Sequence, residues 1–332
     1  MILSGEQLET VACNGLLVIG DPHVGSRRPG RRKDAQWPLP VLTKLERCVA
    51  VANERGLAVV ILGDLFDRPV ETDEALKNQL IRVLKGFAHR PIVNVGNHDI
   101  QHTTLTDGDT LALLGLCDVV DVVAASAPVV EVAMGGRRIG IGMTPYGQTI
   151  PPDVRGSFSG TDLQAWFTHH DIAFDGGYPG AVPPFAVEGC DLLVNGHIHK
   201  TQKAVLAGRT RWLNPGNITR QSVDLLDHVP RAWILDGGGE LAAEPLPFEP
   251  NVFDLTGRIV DAADGSVVAR EIESAFVTLL QAESPTELRR SGDGTIVRDE
   301  IEAKFAKDDT PDAIRAIVRS LLGEAVERHA KA

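Results

Sequence analysis

Short apolar runs alternate with longer amphipathic ones through the first half of the chain. GLLVIG (15–20) and LAVVIL (57–62) are continuous apolar stretches of strand length, each bounded by a glycine. Between them, residues 39–55 set Val41, Leu42, Leu45, Val49 and Ala52 at helical spacing, and Gly56 follows as a stop. Residues 72–87 repeat the helical pattern with Thr72 as the expected N-cap, and PIVNV (91–95) predicts a third strand. Strand, loop and helix in this repetition predict an α/β sheet.

After about residue 117 the rhythm changes. CDVVDVV, APVVEVAM and RRIGIGMT read as strands, with Gly135 and Gly136 marking a hairpin. LQAWFT (163–168) and DLLVN (191–195) predict two further buried strands, and KAVLA, TRWLN and RAWILD predict a later β-meander. From about residue 256 acidic residues become frequent and aromatics scarce, so a boundary is expected between about 245 and 260. This divides the chain into a main domain, 1–250, and a C-terminal α or α+β extension, 251–332. The extension should hold two or three helices. In the last of them, near 310–329, Ile314, Ile317, Val318, Leu321, Leu322, Ala325 and Val326 form an apolar stripe behind Thr310 and Pro311. Such a stripe fits packing on the protein's own core, docking of a partner, or a second copy of the chain.

Polar residues interrupt this pattern where strands end, the place where α/β sheets collect ligands. The first strand leads into Asp21 and His23, and the second into Asp64 and Asp67. The third leads into Asn97, His98 and Asp99. The strands at 163–168 and 191–195 lead into His169 with His170 and His197 with His199, so six of the ten histidines sit at strand ends. Oxygen and imidazole donors without thiolate suit Mn, Fe or Zn. Two cations about 3.5–4 Å apart, sharing a carboxylate, clamp the attacking and leaving oxygens of an in-line displacement at phosphorus. His98 is placed to protonate a leaving oxygen, with Asp99 expected to orient its ring.

The ordered set D-x-H, GDxxD, GNHD, H and GHxH, spanning 21–199, resembles the calcineurin-like metallophosphoesterase family. The resemblance implies a four-layer β-sandwich flanked by helices. It implies one metal held by Asp21, His23 and His199, another by Asn97, His169 and His197, and Asp64 between them. The first histidine of the 169–170 pair is taken as the ligand, and His98 as the catalytic or phosphate-contacting residue. Manganese is the first metal expected, with magnesium, iron and zinc as alternatives. GDLFDRP (63–69), TPYG (144–147) and NPGNITR (214–220) are similar to SbcD-type DNA repair nucleases, although NPGN stands where Pro-Gly-Ser is more usual. That likeness implies a DNA exo- or endonuclease partnered, through its C-terminal region, by an SbcC-like coiled-coil ATPase. The rival readings are a phosphodiesterase or phosphatase acting on a small phosphoester, and an interaction subunit whose metals only organise a surface.

Charge adds one feature. The formal net charge is -12, yet Arg27, Arg28, Arg31, Arg32 and Lys33 follow the first expected ligands directly. Local field over about 8 Å matters more to a phosphate backbone than net charge, so these five are candidate DNA contacts. Trp37 behind them is a candidate base-stacking residue. The four cysteines form no CxxC and read as reduced thiols. No stretch is long and apolar enough to span a bilayer, and MILSGEQLETVACNG has no signal-peptide pattern, so a cytoplasmic location is expected.

Overall fold

The computed structural model describes residues 10–174 and 181–255, and the backbone of 258–259 and 270–271. The chain divides into two compact units, Met1–Asp254 and Leu255–Ala332. In the first, strands run in the order β1 (Thr10–Ala12), β2 (Gly15–Ile19), β3 (Leu57–Ile61), β4 (Ile92–Asn94), β5 (Asp121–Val123), β6 (Ala127–Met134) and β7 (Arg137–Thr144). There follow β8 (Leu163–Thr168), β9 (Leu192–Asn195), β10 (Val205–Ala207), β11 (Thr210–Leu213), β12 (Arg231–Leu235) and β13 (Leu241–Pro245). Helices α1 (Leu39–Arg55), α2 (Glu74–Leu84) and α3 (Thr110–Leu116) join them.

Two sheets form, ordered β13-β12-β2-β3-β4-β5 and β1-β6-β7-β8-β9-β11-β10. Their facing sides bury Val18, Val60, Ile141, Phe167 and Val194 in one apolar layer. Every residue of β2 and β3 is buried, which explains why both read as continuous apolar runs. The helices cover the outer face of the first sheet, where Leu45, Cys48 and Val51 of α1 and Leu76 and Leu80 of α2 meet Leu17, Val59 and Ile61. The outer face of the second sheet carries no helix among the described residues. Ile150, Val154, Phe158, Ile172 and Val187, from connecting segments, pack there on Trp166, Leu193 and Trp212. The expected α/β sandwich is therefore present, with helices on one face and, among the described residues, connecting segments on the other.

Local chemistry accounts for the element ends. Gly56 adopts the left-handed conformation, φ 64°, and its N–H caps Ala52 O at the end of α1. The cap of α2 is Asp73 rather than Thr72, because the Asp73 carboxylate accepts the Leu76 N–H at 3.0 Å. The expected β-meander is split. β10 and β11 form a hairpin at the edge of the second sheet, whereas β12 crosses to the first sheet and pairs antiparallel with β2. The connection between them carries NPGN across the strand ends: Asn217 N–H donates to His199 O at 3.0 Å and Ile218 N–H to Gly20 O at 2.9 Å. The first unit runs to Asp254 because 252–254 pair with the basic loop: Lys33 N–H donates to Val252 O, and Asp254 N–H to Arg31 O. In the second unit, β14 (Arg258–Ile259) pairs with β15 (Arg270–Glu271). The apolar stripe at 314–326 lies outside the described residues.

Candidate metal centre

β2, β3 and β4 run parallel in one sheet, and β8 and β9 run parallel in the other. Their C-terminal ends deliver the polar residues to one place. The first two loops are stitched together by His23 N–H to Asp64 O at 2.9 Å and Val24 N–H to Leu65 O at 2.8 Å. Asp21, His23, Asp64 and His197 all take positive φ, 34°, 49°, 47° and 70°, with Asp118 as the one other non-glycine residue among those described. Such conformations are costly for residues with a Cβ and persist where the surroundings over-determine them. Gly96 closes the cradle: a Cβ there would overlap the backbone nitrogen and Oδ1 of Asp64.

Asp64 sits at the middle. Its Oδ1 accepts the His98 N–H at 2.8 Å, which fixes the carboxylate. Its Oδ2 lies 3.2 Å from His169 Nε2 and 3.6 Å from His23 Nε2. Around this oxygen two clusters of donor atoms converge, His23 with His199 and His169 with His197. His23 Nε2 and His199 Nε2 are 2.9 Å apart. Asn97 Oδ1 joins the second cluster, 3.2 Å from His169 Nε2 and 2.9 Å from His197 Nδ1. Asp21 stands behind, with Oδ1 3.8 Å from His169 Nδ1. Six residues of the predicted ligand set thus make up the two clusters, while Asp21, expected beside His23 and His199, lies nearest to His169. His170 turns away, its Nε2 pairing with Gln148 O at 2.7 Å.

Electrostatics set the protonation of these groups. Burial pushes the Asp21 carboxyl up to about 7; His169 opposes the rise and Asp64 adds to it. Burial also disfavours charge on Asp64, but His169, its hydrogen bond and His23 outweigh that and hold the carboxylate well below its usual range. Burial opposes charge on His169, yet Asp64 and Asp21 raise it to about 9. His23 is held well below its ordinary value and His199 goes down to about 4, both mainly by burial. His23 and His199, kept neutral beside buried carboxylates, are donors prepared for cations, whereas His169 must first give up a proton. Both Asp21 oxygens are buried without a hydrogen-bond partner, the nearby backbone N–H groups falling outside hydrogen-bond geometry. A buried carboxylate left so calls for a cation. The donor set therefore fits two divalent ions, Asp64 being common to both.

Three predicted roles are corrected. Asp99 does not orient the His98 ring: its oxygens accept the Phe66 and Gly96 N–H groups, and His98 Nδ1 is paired instead with Asp67 O at 2.8 Å. In the tight turn Asn97–Asp99, adjacent side chains diverge, so Asp99 braces the loops from beneath. Arg32 is not a phosphate contact. It is 3% exposed, pairs with Asp34, donates to Arg220 O and stacks against Trp37 and Phe253. Trp37 has that guanidinium on its ring and donates Nε1–H to Gly25 O, so it is a wall of the loop rather than a base-stacking platform. Arg27, Arg28, Arg31 and Lys33 are exposed; Arg28 reaches Asp34 O, and Arg31 reaches Asp254 O.

Sequence reading missed two neighbours. Asp171 Oδ1 lies 2.8 Å from His197 Nε2, and the only signal was its position directly after the histidine pair. Tyr146 stands over the histidines, its ring 5.6 Å from His197 and 6.3 Å from His169. Beyond Tyr146 and Asp171 opens a cavity of about 370 Å³.

Parallel strand ends from two sheets, meeting on a shared carboxylate ringed by imidazoles, define a metal-dependent hydrolase framework. The family profile described as calcineurin-like phosphoesterase matches residues 16–201, and the chain belongs to that family of metal-dependent phosphoester hydrolases with dinuclear centres. The fold is similar to that of an archaeal phosphodiesterase, at 12% identity and TM-score 0.36, covering 70% of this chain and 99% of that one. It is also similar to a 5'-nucleotidase precursor from Thermus thermophilus, at 15% identity and TM-score 0.44 over 72% of this chain and 55% of that one. The chain thus spans about half the length of the nucleotidase. No curated protein sequence matches it.

Proposed function

We propose that this protein is a two-metal nuclease that hydrolyses DNA phosphodiester bonds, an SbcD-like enzyme of DNA repair or recombination. The observation that carries the hydrolytic part is the placement of Asp64 Oδ2 within reach of both His23 and His169. His23 and His199 would hold one cation, with Asp21 joining them as the family resemblance implies, and Asn97, His169 and His197 the other, with Asp64 common to both. Bound there, two divalent ions supply an activated nucleophile and charge neutralisation at phosphorus. The chain's own groups do the rest. His98, its Nδ1–H donated to Asp67 O, presents Nε2, which in the doubly protonated ring donates its proton to the leaving oxygen and is left as the neutral imidazole. Asp99 keeps the Asn97–His98 turn in place through Gly96 and Phe66. Exposed Arg27, Arg28 and Lys33 supply positive charge for phosphates flanking the scissile one.

Manganese is the metal of choice for mixed imidazole and oxygen donors in this reading. The C-terminal unit would dock a coiled-coil ATPase or a second copy of the chain. The cavity beside Tyr146 favours a second reading, hydrolysis of a nucleotide-sized phosphoester. End-labelled single- and double-stranded DNA, incubated with wild type or Asp64→Ala in manganese, magnesium or EDTA, separates the two. Metal-dependent DNA degradation lost in the variant supports the nuclease. Cleavage of a small ester alone overturns it in favour of the second reading, and activity of neither kind supports the interaction subunit.

A further inference from the structure

The cavity next to the metal centre is lined by Tyr146, Ile150, Asp171, Ile172, Val182 and Phe185. At about 370 Å³ it lies in the size range of small-molecule sites. Among the described residues no lysine or arginine lines it, and Asp171 pairs with His197. His170, which also lines it, is disfavoured as a cation by burial and is paired with Gln148 O, so a phosphate finds no ready positive charge there. The chemistry suits a flat, neutral group with polar edges. Tyr146 and Phe185 offer ring faces, Ile150 and Ile172 apolar walls, and Thr149 an edge partner, the Gln148 amide being held by Ser126 and Ala124. Position makes the link to the reaction. Tyr146 and Asp171 each touch both the cavity and His197, so a group seated there adjoins a phosphoester at the metals.

We propose that this cavity is a nucleobase pocket, which takes the base of the nucleotide whose phosphoester lies at the metal centre. The inference rests on reading that centre as the phosphoester site. A nuclease would use the pocket by unstacking a base from its strand, at a cost of a few kcal/mol that stacking in the pocket offsets.

The test is equilibrium binding, which does not require turnover. Metal-loaded protein is titrated with dTMP, dAMP, phenyl phosphate and methyl phosphate. Wild type is expected to bind at least one nucleotide about tenfold or more tighter than methyl phosphate, and tighter than phenyl phosphate. Val182, 50% exposed, and exposed Thr149 both line the cavity and neither is an expected metal ligand, so tryptophan at either position fills it without removing a metal ligand. Val182→Trp and Thr149→Trp should each shrink the nucleotide advantage to below about threefold. Nucleotides binding no tighter than methyl phosphate, or an advantage unchanged in both variants, would overturn the pocket. Phenyl phosphate matching the nucleotides would overturn the nucleobase assignment. A nucleotide advantage in a protein that cleaves no phosphoester with any metal would leave the pocket standing and sink the hydrolase reading instead.

Discussion

Asp171 Oδ1 lies 2.8 Å from His197 Nε2, and the opposite nitrogen of that ring, Nδ1, lies 2.9 Å from Asn97 Oδ1. The carboxylate accepts the Nε2 proton and leaves the Nδ1 lone pair facing the second cluster, an arrangement that raises imidazole basicity and fixes its tautomer. Asp171→Ala is expected to weaken one of two manganese-binding steps by about 10–100-fold, with Asp171→Asn recovering part of the loss. Calorimetric titration of metal-free protein reads this directly, and two unchanged steps in the alanine variant would remove Asp171 from the account.

Proton competition sets the pH dependence of metal binding. In metal-free protein, Asp21 titrates near about 7 and His169 near about 9. Both must lose a proton to become ligands. The logarithm of the apparent affinity should rise by about two per pH unit below 7, by about one between 7 and 9, and level off above. Both folded-state values lie above the ordinary ones, so each group's contribution to the stability of metal-free protein is complete below its ordinary pKa and is lost as pH rises through the folded value. Asp64, held below its ordinary value, works the other way and loses its contribution in acid. His23, His199 and Lys44, all lowered by burial, shift stability the opposite way, so the expected signature is the difference between the two forms: the margin of manganese-loaded over metal-free protein should widen as pH rises from weakly acid toward about 9. Thermal melts across that range would show it, and parallel profiles would refute it.

Gly96 has no room for a side chain against Asp64. Gly96→Ala must displace the backbone or the shared carboxylate, at an expected cost of about 1–3 kcal/mol in denaturant unfolding. Metal content should fall with it. An alanine variant with wild-type stability and two bound ions would contradict the tight cradle.

The basic loop divides into two kinds of cation. Arg32→Ala leaves the Asp34 carboxylate without its buried partner and should cost about 3–5 kcal/mol in unfolding free energy. Arg27→Ala and Lys33→Ala should change stability by less than about 0.5 kcal/mol. If each meets a phosphate, each should flatten the logarithmic salt dependence of DNA binding by about 0.9. Equal salt slopes in wild type and the double variant would take the loop out of the proposed DNA contact.

The seven converging residues were legible because each interrupts an apolar run at a strand end, where side chains have little packing reason to be histidine or aspartate. Their meeting from two different sheets was carried by the motif order, not by periodicity. What failed were inferences from adjacency. Asp99 follows His98 but points under the loops, and Arg32 sits among four exposed cations but is folded inward by Asp34 and two aromatic rings. Asp171 and Tyr146 reach the site through contacts between loops, which no spacing rule encodes. Helix α3 and strand β1 are too short to leave a periodic signal.

The central claim is that one carboxylate, Asp64, holds two cations together. The most direct measurement is manganese stoichiometry by elemental analysis with electron paramagnetic resonance, on wild type and Asp64→Ala. Two ions per chain with an exchange-coupled signal in wild type, falling to one or none and uncoupled in the variant, is the predicted result. A single uncoupled ion in wild type, or a coupled pair that survives the loss of Asp64, would contradict it.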